Sequence, residues 1–315
     1  MSFGYSVLGF GGYTNRFTPS NFGGRGVFAG SGGSPSVIDY VTIATNGNAT
    51  DFGDMSAGNG GKGTACSNGS RGVMTQSGDA TMQYITISTT GDASDFGELS
   101  VDRSNGADAT SNHLDRGLWM GGYTGEASDV IDYIAISTTG DAVDFGDLNV
   151  TSWGVGAGCS TTSGRAFLSV GNAGGTSNIV NSISYFNTLA LGNASDFGDM
   201  SYGTEWNSCM ADSTRGIIAS GVQFYNNGSD ELGMEYITIA NTGNATDFGN
   251  TIGKRTYRTG SCGNNIRGLL AGGYNYATSS GWDAIDVNII QTTGNAADFG
   301  NLTVGRQVGG GLSGD

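Results

Sequence analysis

Residues 82–98 read MQYITISTTGDASDFGE. Their first half alternates apolar and polar side chains, with β-branched residues among them, which is the period of a strand with one buried face. A Gly-Asp turn follows, and the stretch closes on Asp-Phe-Gly. The same phrase returns along the whole chain. Asp-Phe-Gly begins at Asp51, Asp95, Asp144, Asp196, Asp247 and Asp298, at separations of 44, 49, 52, 51 and 51 residues. A unit of that length cannot bury a core alone, so successive units must stack.

Three further pieces complete the unit. A repeated arginine opens RGVFAGS, RGVMTQS, RGLWMGG, RAFLSVG, RGIIASG and RGLLAGG at Arg25, Arg71, Arg116, Arg165, Arg215 and Arg267. Each piece is a short apolar run closed by small residues, as expected of a strand buried on both faces and ended by a turn. Between each Asp-Phe-Gly and the next repeated arginine lies a small, polar strand such as KGTACSN, GVGAGCS or RTGSCGN. Small side chains suit the centre of a ring, where inner strands converge. Four strands per repeat, six times, predict an all-β fold: a six-bladed β-propeller of four-stranded blades. The chain enters its regular part at Arg25 with a second strand and ends after an additional first strand, GRQVGGGLSGD. The C-terminal strand should therefore join the first blade and close the ring, removing open sheet edges.

Composition narrows the functions. The chain has 58 glycines and two prolines in 315 residues, without the Gly-X-Y period of collagen. Thirteen basic residues stand against 28 acidic ones, a net charge of −15. That balance argues against nucleic acid and against anionic membranes, which are bound through basic patches. No apolar run is long enough for a transmembrane helix. The first residues lack the basic start and apolar stretch of a signal peptide.

The repeat resembles the kelch repeat. Gly121-Gly122 and Gly272-Gly273 match that family's double glycine, and Tyr40, Tyr84, Tyr133, Tyr185 and Tyr236 match its third-strand aromatic residue. Phe52, Phe96, Phe145, Phe197, Phe248 and Phe299 stand where kelch proteins usually carry Trp. The match covers residues 25–315 and departs at the phenylalanine, at broken double glycines and at Val287 in place of tyrosine.

Residues 1–24 precede the ring and carry Phe3, Tyr5, Leu8, Phe10, Tyr13 and Phe17. They read either as a plug on the propeller or as an arm that docks on a partner protein. Each apolar side chain it buries would contribute roughly 1.5–3 kcal/mol.

The repeated charges invite a pairing. A guanidinium matches a carboxylate with two hydrogen bonds, so each of Arg25, Arg71, Arg116, Arg165, Arg215 and Arg267 is expected to meet one of Asp51, Asp95, Asp144, Asp196, Asp247 and Asp298. A catalytic role is not expected of a group present six times. Cys66, Cys159 and Cys262 occupy equivalent positions and Cys209 a nearly equivalent one, so they read as small buried side chains in different blades; no disulfide or CxxC metal spacing results. His113 is the only histidine. No catalytic, metal or cofactor site is expected. Two acidic series spaced by three, Asp92-Asp95-Glu98 and Asp141-Asp144-Asp147, could share calcium, but Asn48, Asn193, Asn244 and Asn295 occupy the same turn and point to turn chemistry.

The phrase YITIATTGNATDFGDLT, approximated in nearly every repeat, is similar to kelch-like propellers of tailed-phage virion proteins, especially marine ones. That resemblance implies a non-enzymatic structural or adhesion protein of an extracellular particle, in a tail, a fibre or a capsid decoration. Its partners would be other virion proteins and a host-surface glycan. The alternatives are a soluble lectin-like or calcium-dependent carbohydrate-binding propeller and, third, a polysaccharide-degrading propeller enzyme. The third would need an irregular cluster, for which Lys254, Arg255, Tyr257, Arg258 and Trp282 are candidates. Trp119, Trp153, Trp206 and Trp282 serve either as core or as platforms for sugar rings.

Overall fold

Each repeat folds as an antiparallel meander, and six such four-stranded sheets stand as blades around one axis. The computed structural model describes residues 24–314 apart from 31–35, 57–62, 76–79, 105–107, 112–113, 160, 175–177, 220, 224–228, 231–232, 256–258 and 276–277. Blade two shows the plan from axis to rim: Ala65–Ser67, Arg71–Thr75, Thr81–Thr86 and Ser94–Glu98. Blades three to six begin with inner strands Asp108–Ser111, Gly156–Cys159, Ser208–Ala211 and Gly260–Gly263. Blade one takes its second to fourth strands from Arg25–Gly30, Val37–Thr42 and Thr50–Asp54, and its inner strand from Val308–Gly314 at the other end of the chain. Gly314 lies opposite Arg25 and Leu312 opposite Val27, so the ring is closed by pairing the two ends of the repeat array.

The core is divided into six wedges, one at each blade–blade interface. Between blades one and two, Val27, Ile38, Phe52 and Leu312 meet Met74, Ile85 and Ile87. Between six and one, Leu269, Ile285 and Phe299 meet Phe28, Val41 and Ile43. Because every wedge needs two blades, burial and ring closure are one cooperative event. At the centre the inner strands approach so closely that a Cβ on Gly310 would lie 2.4 Å from the Ala65 nitrogen. This is why the inner strands are built from small residues, as their sequence implies.

The second strands are buried as expected, but the third strands depart from simple alternation. Their polar residue before the tyrosine position (Asp39, Gln83, Asp132, Ser184, Glu235 and Asp286) is buried. These side chains face the linker leaving the preceding blade. Ser56, Ser100, Ser201, Ile252 and Thr303 each give a backbone N–H to the corresponding carboxylate or amide oxygen. In blade four, Ser184 Oγ instead bonds the Asn149 side chain at 2.6 Å.

Asp-Phe-Gly is the joint between blades. In every blade the pairing of third and fourth strands slips at the phenylalanine, as where Ile38 faces Gly53 but Asp39 faces Asp51. This bulge turns the aspartate to solvent and the phenylalanine into the wedge. The phenylalanine carbonyl then accepts the N–H of the turn glycine in the next blade, as in Gly91 to Phe52 at 2.8 Å and Gly47 to Phe299 at 2.8 Å. The glycine of Asp-Phe-Gly is required there: Gly97 has φ +144°, and a Cβ would lie 2.4 Å from the Gly140 oxygen.

Candidate binding face and central channel

The repeated arginines and aspartates do not pair. The six aspartates are exposed on the outer strands, while the six arginines lie half-buried between blades. Each arginine Nη1 donates to a backbone carbonyl of the following blade: Arg25 to Ile87, Arg71 to Ile136, Arg116 to Thr188, Arg165 to Ala240, Arg215 to Ile290 and Arg267 to Ile43, at 2.6–3.2 Å. Five of them stack on the tyrosine of their own blade, from Arg165 over Tyr185 at 3.9 Å to Arg116 over Tyr133 at 4.6 Å. Blade six has Val287 in place of the tyrosine, and Arg267 lies over Phe299 at 5.4 Å. A carbonyl and a ring face satisfy the guanidinium where a carboxylate on the outer strand cannot reach.

Three other arginines make the ion pairs found among the described residues. Arg103 meets Asp132 at 2.5 Å, Arg306 meets Asp39 at 2.7 Å, and Arg255 bonds Asp286. All six side chains are buried. Burial pulls the Arg103 and Arg255 guanidinium pKa values down, opposed by the partner carboxylates, and pushes that of Asp286 up, opposed by Arg255. A sequence signal was present. Each of these arginines lies eight residues after an Asp-Phe-Gly aspartate, and the following blade then carries Asp before its tyrosine position. The interfaces without the arginine carry Gln83, Ser184 and Glu235 instead. Arg255, the irregular basic candidate for catalysis, is therefore a core residue, packed 5.0 Å from the Trp282 ring. Tyr257 and Arg258 lie outside the described residues, as do Phe3, Tyr5, Leu8, Phe10, Tyr13, Phe17 and His113.

The turn Asp and Asn residues are also accounted for. Asn48, Asp92, Asp141, Asn193, Asn244 and Asn295 accept, at 3.0–3.1 Å, the N–H of the residue after Asp-Phe-Gly in the preceding blade. An oxygen at Oδ1 is all this needs, so Asp and Asn interchange. The two acidic series do not converge: among the described residues no three His, Cys, Asp or Glu side chains could hold a metal ion together.

These contacts give the ring two unlike faces. On one, the third-to-fourth turns have a single length throughout, from 43–49 to 290–296, and all are joined to the preceding blade. Gly24 and Gly314 lie at this face, so residues 1–23 join the ring here. On the other face, the second-to-third connections run over 31–36 and 76–80 in blades one and two but over 170–181, 220–232 and 272–283 in blades four to six. Those of blades five and six carry small hairpins of their own. Tyr123, Trp153, Tyr202, Tyr274 and Trp282 lie in the connections of this face, each at least partly exposed. Trp153 packs edge-on to Trp206 at 5.5 Å. Trp119, by contrast, is fully buried core.

The channel itself is lined by the inner strands around a cavity of about 170 Å³. Cys66, Cys209 and Cys262 are buried, unpaired thiols in its wall, and burial pushes all three thiol pKa values up. Asp108, which the sequence reading passed over, is the one charged side chain lining the cavity among the described residues. It sits at the end toward the irregular face, because it pairs with Met120, the last residue of the second strand. Its carboxylate accepts N–H groups from Ala109 at 2.8 Å and Ala157 at 2.7 Å. Burial pushes its pKa up to about 7 against those two hydrogen bonds.

No protein-family model matches the chain, and no curated protein matches it in sequence. Fold and site together define a six-bladed β-propeller with one uniform, internally bonded face and one irregular, aromatic face.

Proposed function

We propose that the chain is a non-enzymatic binding module of an extracellular particle. Residues 1–24 attach it, and the irregular face recognises a protein or a glycan. One observation carries this reading. Departures from the repeat collect on one face, while the N-terminal segment joins the ring at the opposite one. A scaffold needs no irregularity, whereas a recognition surface for one partner does. Partly exposed tryptophan and tyrosine rings suit the apolar faces of sugars and the aromatic-rich centres of protein interfaces. Placement in a virion, as tail, fibre or capsid decoration, rests on the kelch-like and phage-like resemblance of the repeat. A soluble lectin-like propeller would use the same face without the attachment segment.

Co-sedimentation from the native source, with copy number by mass spectrometry, separates the two readings. The particle reading expects fixed stoichiometry for the full chain and its loss when residues 1–24 are removed. A chain that remains free in both forms would defeat that reading and leave the lectin-like one, to be tested by glycan binding.

A further inference from the structure

We propose that the central cavity is a receptor for one organic cation, an alkylammonium or alkylguanidinium group, with Asp108 as its counter-ion. The fold does not require an acid at this position. The equivalent residues in the other five blades are Thr64, Gly156, Ser208, Gly260 and Gly310. Elsewhere the ring supplies an arginine to each aspartate buried on a third strand. Among the described residues Asp108 receives two backbone N–H groups and no cation, although an ionised carboxylate can accept about four hydrogen bonds. The residue is only partly buried and lines the cavity.

The surroundings select the kind of cation. Calcium takes six to eight oxygen ligands close around it, usually including several carboxylates, and here a single carboxylate faces about 170 Å³ of space. A group with N–H donors on an alkyl stem fits better. Thr110, Ser208 and Thr259, which carry hydroxyls, also line the cavity. Trp206 also lines the cavity, and an indole attracts a desolvated cation. The group could come from a free amine or from a lysine or arginine side chain of a partner. The inference rests on the channel alone, so its failure would leave the particle reading untouched.

The test is calorimetric titration at pH 8, where Asp108 is largely ionised, with butylammonium and butylguanidinium as probes and butanol and calcium chloride as controls. One-to-one binding of either cation is expected, at least tenfold weaker in both Asp108→Asn and Asp108→Ser, with no heat from butanol. The serine variant copies Ser208 and guards against a folding defect in the other. Absence of binding, binding unchanged in the variants, or binding of calcium alone would overturn the proposal. If the site binds, a lysine-bearing peptide that binds more tightly than butylammonium assigns the source to a partner's side chain; one that binds more weakly assigns it to a free amine.

Discussion

The two faces of this ring are made from the same repeat and have opposite characters. On the uniform face the refrain bonds across every interface. The turn glycine, the turn Asx and the stacked arginine each bond across an interface, and the same arrangement recurs between blades six and one. On the irregular face the side chains that bond across blades include the buried Arg–Asp pairs and the Gln83, Ser184 and Glu235 contacts, and the second-to-third connections vary in length and carry aromatic residues. The difference teaches where sequence is free to vary. A contact used by both neighbouring blades constrains two repeats at once, whereas a connection that only spans two strands of one blade constrains neither neighbour.

The largest effect that would break this picture concerns closure. Deleting residues 305–315 removes the inner strand of blade one and Arg306, and opens two wedges. Cooperative thermal unfolding should be lost, and an unchanged melting curve would contradict ring closure. Next comes the layer beneath the irregular face. Arg255→Ala leaves Asp286 buried without its cation and should cost about 3–5 kcal/mol in denaturant unfolding. Replacing both members by apolar residues of similar volume should recover most of that loss. If the double variant is as unstable as the single one, the pair is not the source of the effect.

A contrast of two glycines separates close approach from backbone strain. Gly97→Ala drives a Cβ into the Gly140 carbonyl and strains a φ of +144°, and should cost roughly 2–4 kcal/mol. Gly125→Ala on the irregular face has φ +110° but open space around its Cβ, and should cost about 1 kcal/mol. Equal losses would mean that the close approach at Gly97 adds nothing to the backbone strain. A further effect is set by pH. The Asp108 pKa is raised in the fold to about 7 from an unfolded value near 3.9. The folded state then binds the extra proton, so the contribution of this group is most favourable below about pH 4 and declines as pH rises through about 7. The melting temperature of the native protein should fall across that window relative to Asp108→Asn, and parallel profiles would remove Asp108 as the cause.

Much of the architecture was legible because the refrain announces it. Blade number, strand order and closure follow from the spacing of Asp-Phe-Gly and the repeated arginine. The partnership of those charges was misread for a physical reason. Sequence shows which residues recur but not the bulge at the phenylalanine, which turns Asp51 and its equivalents outward. The true ion pairs recur in only three interfaces, so they were hidden by attention to what repeats six times. Asp108 was missed for the converse reason: its meaning lies in the five small, uncharged residues that share its position around the axis, and those become neighbours only once the ring is formed.

Under the proposed function, recognition belongs to the irregular face and attachment to the other. Hydroxyl-radical footprinting of the protein on its native particle or partner tests this most directly. Protection of Tyr123, Trp153, Tyr202, Tyr274 and Trp282 by the recognised ligand, with Leu114, Leu191 and Ile266 on the uniform face unchanged by it, is the predicted result. Ligand-dependent protection confined to Leu114, Leu191 and Ile266 would contradict it.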